Sequence, residues 1–225
     1  MTLSDLEKKY DIIYPELYKQ LESDGMLVYE TTTFSKLKEN PPLLLYTFDF
    51  ELMNKDEIVE EIELLSDPES YLRLKEDLKF IPFAKSGAGD HYSFLFNEQD
   101  GTDIPIVFMW HDANEANYLA KNLQDFIFRT ILTDMSQLDT YNKQTDEEFR
   151  INLSSCLNKH GKYLTNEQNE ILNRIFEREI QDYTVDYGQR TEVLRGLLTD
   201  VETKEILTEI IPFKNLFNSF EYSKV

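Results

Sequence analysis

The sequence reads as an α+β protein whose chain continues into an all-helical C-terminal stretch, and three observations carry that reading. Two runs rich in β-branched and aromatic residues, His91–Phe96 and Ile104–Trp110, flank the polar turn Asn97–Asp103, which is the pattern of paired antiparallel strands. Amphipathic helical periodicity precedes and follows this hairpin. From Thr145 onward the apolar spacing is helical.

The hairpin specifies its own register. Setting Phe96 opposite Ile104 places Phe94 opposite Ile106 and Tyr92 opposite Phe108. Tyr92, Phe94, Phe96, Ile104, Ile106, Phe108 and Trp110 then share one face, which we read as core, and a slip of one residue would throw the whole set to the other side. Trp110 at the end of that face reads as a core anchor. Gly87 and Gly89, in Lys85-Ser86-Gly87-Ala88-Gly89-Asp90, serve a turn or bulge. Pro105 donates no ladder hydrogen bond and belongs at an edge or at the start of its strand.

Upstream, Ser4 and Glu7 form a capping box for a short helix marked by Leu3, Leu6 and Tyr10. Pro15 opens a second helix with Leu17, Tyr18 and Leu21 inward and Gly25 at its end. Met26–Tyr29 reads as a brief strand and Leu43–Phe48, after Pro41-Pro42, as a better one. Between Asn54 and Leu65 a helix buries Ile58, Ile62 and Leu65 and shows water an acidic face of Asp56, Glu57, Glu60, Glu61 and Glu63. Ser66-Asp67-Pro68 breaks it, and Tyr71–Leu78 adds a helical turn or two.

After Trp110, Asp112 or Asn114 caps a helix with Leu119, Leu123, Phe126 and Ile127 inward, which closes the first compact unit near Asp134. Ser136–Lys143 is polar and reads as a linker. Thr145 with Glu148 caps a helix striped by Phe149, Leu153, Cys156, Leu157 and His160 and stopped by Gly161. Thr165 with Gln168 caps the next, which carries Ile171, Leu172, Ile175, Phe176 and Ile180. A helix containing Val193, Leu194, Leu197 and Leu198 follows, then one from Thr199 or Asp200 to Ile211, closed by Pro212. Phe213, Leu216, Phe217 and Phe220 keep helical spacing, so the tail docks on the first unit or on a second subunit.

Composition narrows the function. The 225 residues hold 23 Lys+Arg against 43 Asp+Glu, a formal net charge of -20, which repels phosphate backbones and anionic lipid and favours basic protein partners. Neither nucleic acid nor a membrane is an expected direct ligand. The single cysteine, Cys156, sits on an apolar stripe as a small core residue, consistent with a reducing compartment. The N-terminus lacks a signal-peptide plan and no apolar run approaches the roughly 20 residues of a span, so the expected location is the cytoplasm.

One cluster is chemically suggestive. In the hairpin register His91 lies opposite Met109 and diagonal to His111, within about 8 Å between backbones, with Asp90 and Asp112 beside them. Two histidines and two carboxylates can bind a divalent metal, yet their spacing matches no standard ligand motif, and no nucleophile elbow, paired-cysteine knuckle or phosphate loop is present. We therefore expect no enzyme and no cofactor.

The order of features resembles a known group. The opening Leu6–Tyr18, the phrase Ile81-Pro82-Phe83-Ala84 with Gly87, Gly89, Asp90 and Phe94, then Pro105-Ile106-Val107, Trp110-His111-Asp112 and Leu123-Gln124-Asp125-Phe126 resemble the SUKH superfamily, named for the yeast Smi and Knr cell-wall regulators and related bacterial proteins. The likeness covers roughly Leu3 to Ile131. His111 stands where members more often carry an acid, and Leu95-Phe96 replaces an acidic strand end.

The resemblance implies a mainly antiparallel sheet packed with helices over residues 1–134, with residues 145–225 as a helical extension. Its hallmark residues would be Pro82, Gly87, Gly89, Phe94 and Trp110. Many bacterial members are immunity proteins of polymorphic toxin systems, so the implied partner is a cognate toxin protein, often a nuclease, blocked by steric and electrostatic occlusion. Glu57, Glu60, Glu61, Asp90, His111 and Asp112 are the candidate partner-binding residues. The alternatives are a scaffold or regulator of the Smi/Knr type and a metal- or ligand-binding domain. The oligomeric state is open.

Overall fold

A computed structural model describes residues 1–27, 37–38, 40–67, 69, 74–138, 144–188 and 190–223. Their contacts gather into two units, one of Met1–Thr31, Asp49–Phe126 and Phe213–Val225, the other of Thr32–Phe48 and Ile127–Pro212.

In the first unit α1 (Leu3–Tyr10) starts earlier than Ser4 and Glu7 suggest. Thr2 is the cap: its hydroxyl accepts the Asp5 N–H at 3.2 Å, and the Asp5 carboxylate accepts the Thr2 N–H at 2.8 Å. Glu7 is thereby free to accept the Tyr14 N–H at 2.9 Å and to pair with Lys19 at 3.1 Å, fixing the entry to α2 (Glu16–Ser23). Of the strand expected at Met26–Tyr29, Met26 and Leu27 instead belong to the turn that follows α2, and Val28 and Tyr29 lie outside the described residues.

The sheet has six strands: β1 (Glu51–Leu52), β2 (Phe80–Lys85), β3 (His91–Leu95), β4 (Ile106–Met109), β5 (Ala116–Ala120) and, from the tail, β8 (Ser219–Phe220). They lie in the order β1-β2-β3-β4-β5-β8 with every neighbour antiparallel. The register is the one the sequence dictates, with His91 opposite Met109, Tyr92 opposite Phe108 and Phe94 opposite Ile106. The ladder ends there, because Phe96 turns into a short 3-10 segment, Phe96–Glu98. Pro105 precedes β4 and lends only its carbonyl, which accepts the Leu95 N–H at 2.9 Å. Pro82 sits in a central strand at a shift of register between Pro82 and Ala84, one of the few places a sheet tolerates its missing donor.

Both faces of the sheet are buried. On the even face Phe94, Phe96, Ile104 and Ile106 lie in the core, where the rings of Tyr14 and Tyr18 pack edge-on against Phe94 at 5.9 and 5.2 Å. On the other face Leu95, Val107, Met109, Ala116 and Tyr118 form a second cluster with Phe80, Leu65 and Tyr222. Leu65 arrives on α3 (Lys55–Ser66), whose buried Ile58 and Ile62 follow the sequence reading and whose Asn54–Glu57 capping box the structure adds.

Two first-unit readings are corrected. The helix expected from Asp112 or Asn114 is a strand over Ala116–Ala120, and the helix α4 (Leu123–Ser136) starts later, after the Asn122 side chain accepts the Asp125 N–H at 2.9 Å. Asn114 is engaged otherwise, its side-chain oxygen accepting the Tyr222 and Ser223 N–H groups at 3.1 and 2.6 Å. The described part of Tyr71–Leu78 is also not helical: Leu74 bridges to Ser223 and a turn closes from Leu78 N–H to the Lys75 carbonyl. The tail docks on this first unit as an edge strand, with Phe213 and Phe220 against the second cluster.

The second unit carries α5 (Asp146–His160), α6 (Asn166–Phe176) and α7 (Asp200–Ile210), capped by Thr145–Glu148, Thr165–Gln168 and Thr199–Glu202. Between α6 and α7 the expected helix around Val193–Leu198 is instead a hairpin, β6 (Gln181–Asp186) with β7 (Thr191–Gly196). Its exposure alternates along β6, a period of two that the short window Val193–Leu198 conceals. Leu43–Phe48 is likewise a succession of turns, not a strand: Leu44 has φ 54° and is fully buried. Cys156 is buried as expected, and burial pushes its thiol up.

Candidate functional site

One end of the six-stranded sheet gathers most of the residues singled out from the sequence. The turn Ser86–Asp90 joins β2 to β3 there, and the loop Trp110–Glu115 joins β4 to β5. Ser86 builds the turn. Its hydroxyl accepts the Asp90 N–H at 3.0 Å and the Ala88 N–H at 3.2 Å and donates to Asp90 Oδ2 at 2.9 Å. Gly89 supplies the left-handed residue the turn requires, at φ 97°. Gly87 donates its N–H to Asp49 Oδ1 at 2.6 Å, which draws the residues before β1 to the same end.

Asp90 then ties turn to loop. Its Oδ1 accepts the His111 N–H at 2.9 Å and meets His111 Nδ1 at 2.8 Å. Burial opposes ionisation of this carboxyl, but the His111 N–H, the His111 ring and the Ser86 hydroxyl outweigh it and hold it below the ordinary carboxylate range. The same hydrogen bond raises the imidazole of His111, which is exposed. Asp90, His111 and Asp112 each present a ligand atom within 4.8 Å of the others. Both Asp90 oxygens already serve the turn and the loop, so a cation there would compete with the hydrogen bonds that shape the site.

His91 does not join this group. Its Nε2 lies 3.4 Å from Glu61 on α3, so the backbone register holds while the two histidines serve different partners. The acidic face of α3 is also less free than its sequence suggests. Glu57 closes the helix cap and pairs with Lys85 at 3.0 Å, Glu61 faces His91, and Glu63 pairs with Lys9 at 2.7 Å. Glu60 is exposed without an ion pair among the described residues.

Trp110 is the main correction. It follows the last rung of the ladder and is 41% exposed, against the core position expected of it. A signal was available, since the turn-favouring Asp112 and Asn114 end the strand beside Trp110 and leave it on the rim. The ring is nevertheless held: Nε1–H donates to Asn117 Oδ1 at 2.5 Å, Asn117 donates onward to Glu115 Oε1 at 3.3 Å, and the indole packs edge-on to Phe108 at 4.9 Å. Asp49, Glu51, Asp112 and Glu115 are exposed around this end of the sheet.

Residues 2–129, which contain the Ser86–Asp90 turn and the Trp110–Glu115 loop of this sheet end, match the SMI1 / KNR4 family (SUKH-1). The chain belongs to that family. The SUKH-1 match takes in Pro82, Gly87, Gly89, Phe94 and Trp110 together with Asp90, His111 and Asp112, and stops within α4. No curated protein matches the chain, and no solved structure does. Among the described residues no helix is long and apolar enough to cross a membrane.

Proposed function

We propose that this SUKH-1 protein is an immunity protein that binds a cognate, basic, nuclease-like toxin domain and neutralises it by occlusion, without breaking a bond. The observation that carries the reading is the acidic rim Asp49, Glu51, Asp112 and Glu115 around a rigid sheet end, in a chain of net charge -20. Such a rim presents a basic catalytic groove with the charge it uses to hold phosphates, steers encounter, and leaves affinity to a few buried anchors. Asp90 and His111 act here by shaping the rim, and Glu60 extends the acidic surface along α3.

The extension that lies beyond the family match favours a second reading, a scaffold or regulator of the Smi/Knr type bound to an endogenous protein. Immobilised full-length protein, exposed to lysates of the source organism and close relatives and eluted with a salt gradient, separates the two. A single basic domain with toxic activity, silenced at equimolar ratio, supports immunity; a non-toxic endogenous partner overturns it. Lysine at Asp112 and Glu115 should slow association with that toxin about tenfold at low salt. A divalent metal that copurifies and is lost in His111→Ala would move the function to metal binding.

A further inference from the structure

We infer that Trp110 is the anchor of the partner interface and that it receives an arginine of the partner, a step that rests on the basic-partner reading and gives it a residue-level site. A large indole 41% exposed at the end of a sheet otherwise buried on both faces is the least economical place for the chain's only tryptophan if it merely packs. Its orientation is fixed by the Nε1–H bond to Asn117 and by the edge-on ring of Phe108 at 4.9 Å, and its main chain is held by the Trp110 carbonyl, which accepts the Tyr222 hydroxyl at 2.7 Å. A pre-oriented aromatic loses little freedom on binding and is the residue type most often found as an interface hot spot.

The surroundings select the occupant. The Glu115 carboxylate reaches Asn117, the residue that holds the indole nitrogen, and Asp112 is exposed in the same loop. An aromatic face next to carboxylates fits a guanidinium better than an ammonium, because arginine stacks flat on the ring and offers its planar fork to a carboxylate at once. The one basic side chain of the loop, His111, is turned into Asp90 through its Nδ1.

The chain reports on its own site, since all indole fluorescence comes from Trp110. The probe is a labelled peptide of alternating glycine and arginine, with the citrulline peptide as the uncharged isostere, titrated into the full-length protein at low ionic strength. The arginine peptide should bind saturably and change the Trp110 emission, with the citrulline peptide at least about tenfold weaker. By peptide anisotropy, Trp110→Ala should weaken binding about tenfold, Glu115→Gln severalfold, and Trp110→Phe less than the alanine variant, all with unchanged melting temperatures for the two conservative variants. Equal binding of the citrulline peptide, or unchanged binding in both Trp110→Ala and Glu115→Gln, overturns the inference. A toxin domain captured by the wild type and equally by Trp110→Ala, or wild-type protein that binds no arginine peptide, sinks the anchor and leaves neutralisation standing, whereas a lysate that yields only a non-toxic endogenous partner sinks the basic-toxin reading on which the anchor rests.

Discussion

His160 Nε2 accepts the backbone N–H of Leu44 at 3.0 Å, joining residues 116 positions apart, while its Nδ1 meets the Cys156 carbonyl at 2.7 Å. This geometry requires a neutral ring protonated at Nδ1, because an Nε2 proton would face the Leu44 N–H and leave that buried donor unpaired. Burial lowers the imidazole to about 4 from an ordinary 6.5, and the neighbouring charge of Lys159 acts in the same direction. The unfolded chain therefore takes up the proton first. The contribution of His160 is complete above about pH 6.5 and is lost as pH falls toward 4, by up to about 3 kcal/mol. Urea unfolding of wild type and His160→Gln at a series of pH values checks this: the gap between them should shrink on acidification, and a gap independent of pH would remove the titration from the account.

In the Asp90–His111 pair the two partners titrate in opposite senses. His111 is raised by its bond to Asp90, so what it adds is present below the unfolded value of 6.5 and is lost as pH rises through the raised one. Asp90 is lowered despite its burial, so its share is present above its ordinary value and is lost as pH falls through the depressed one. Turn and loop are thus most tightly joined in the window between. A histidine-ring titration by NMR should place His111 above 6.5 in the wild type and return it toward 6.5 in Asp90→Asn. An unmoved titration in that variant would show that the two side chains are not paired in solution.

These sites differ in how far they could be read from sequence. The β3–β4 register was legible because both strands alternate and only one pairing gathers Tyr92, Phe94, Ile106 and Phe108 on a face. The helix caps at Thr145 and Thr165 were legible because each is a local arrangement four residues long, a threonine with its Glu or Gln three positions on. Ala116–Ala120 was not, since its alanines and leucine favour helix, and only its place between β4 and the returning tail makes it a strand. The side chains that Glu57, Glu61 and Glu63 face are Lys85, His91 and Lys9, partners distant in sequence, so the acidic stripe of α3 looked freer than it is.

Tyr222 shows the same non-local control in the tail. It is fully buried in the second cluster, its hydroxyl donates to the Trp110 carbonyl at 2.7 Å, and its carbonyl accepts the Lys75 N–H at 3.0 Å. Tyr222→Ala should cost about 4 kcal/mol through cavity formation, and Tyr222→Phe about 1 kcal/mol through the lost hydrogen bond. Denaturant unfolding measures both. Equal, small losses would mean that the tail rests on the sheet without completing it, and the Trp110 emission should then be the same in both variants.

Gly196 ends β7 where no other residue fits. A Cβ there would stand 2.1 Å from the Ser136 carbonyl oxygen and 2.9 Å from that of Met135, both backbone atoms that cannot rotate aside. The same stretch is gripped by hydrogen bonds from Leu138 N–H to the Arg195 carbonyl at 2.7 Å, from Leu197 N–H to the Met135 carbonyl at 2.8 Å and from the Tyr183 hydroxyl to the Ser136 carbonyl at 2.7 Å. Gly196→Ala must push the hairpin off this end of α4, and a two-stranded hairpin has little stability of its own. The expected cost is about 3 kcal/mol, with faster amide exchange along Thr191–Gly196. Gly188→Ala is the control: that glycine has φ 80° and open space around it, so the substitution meets only backbone strain of about 1 kcal/mol. If Gly196→Ala costs no more than Gly188→Ala, the close approach of β7 to Ser136 is not what holds the hairpin, and Tyr183 with the Arg195 pairs to Asp146 and Asp182 at 2.9 and 3.1 Å must carry it instead.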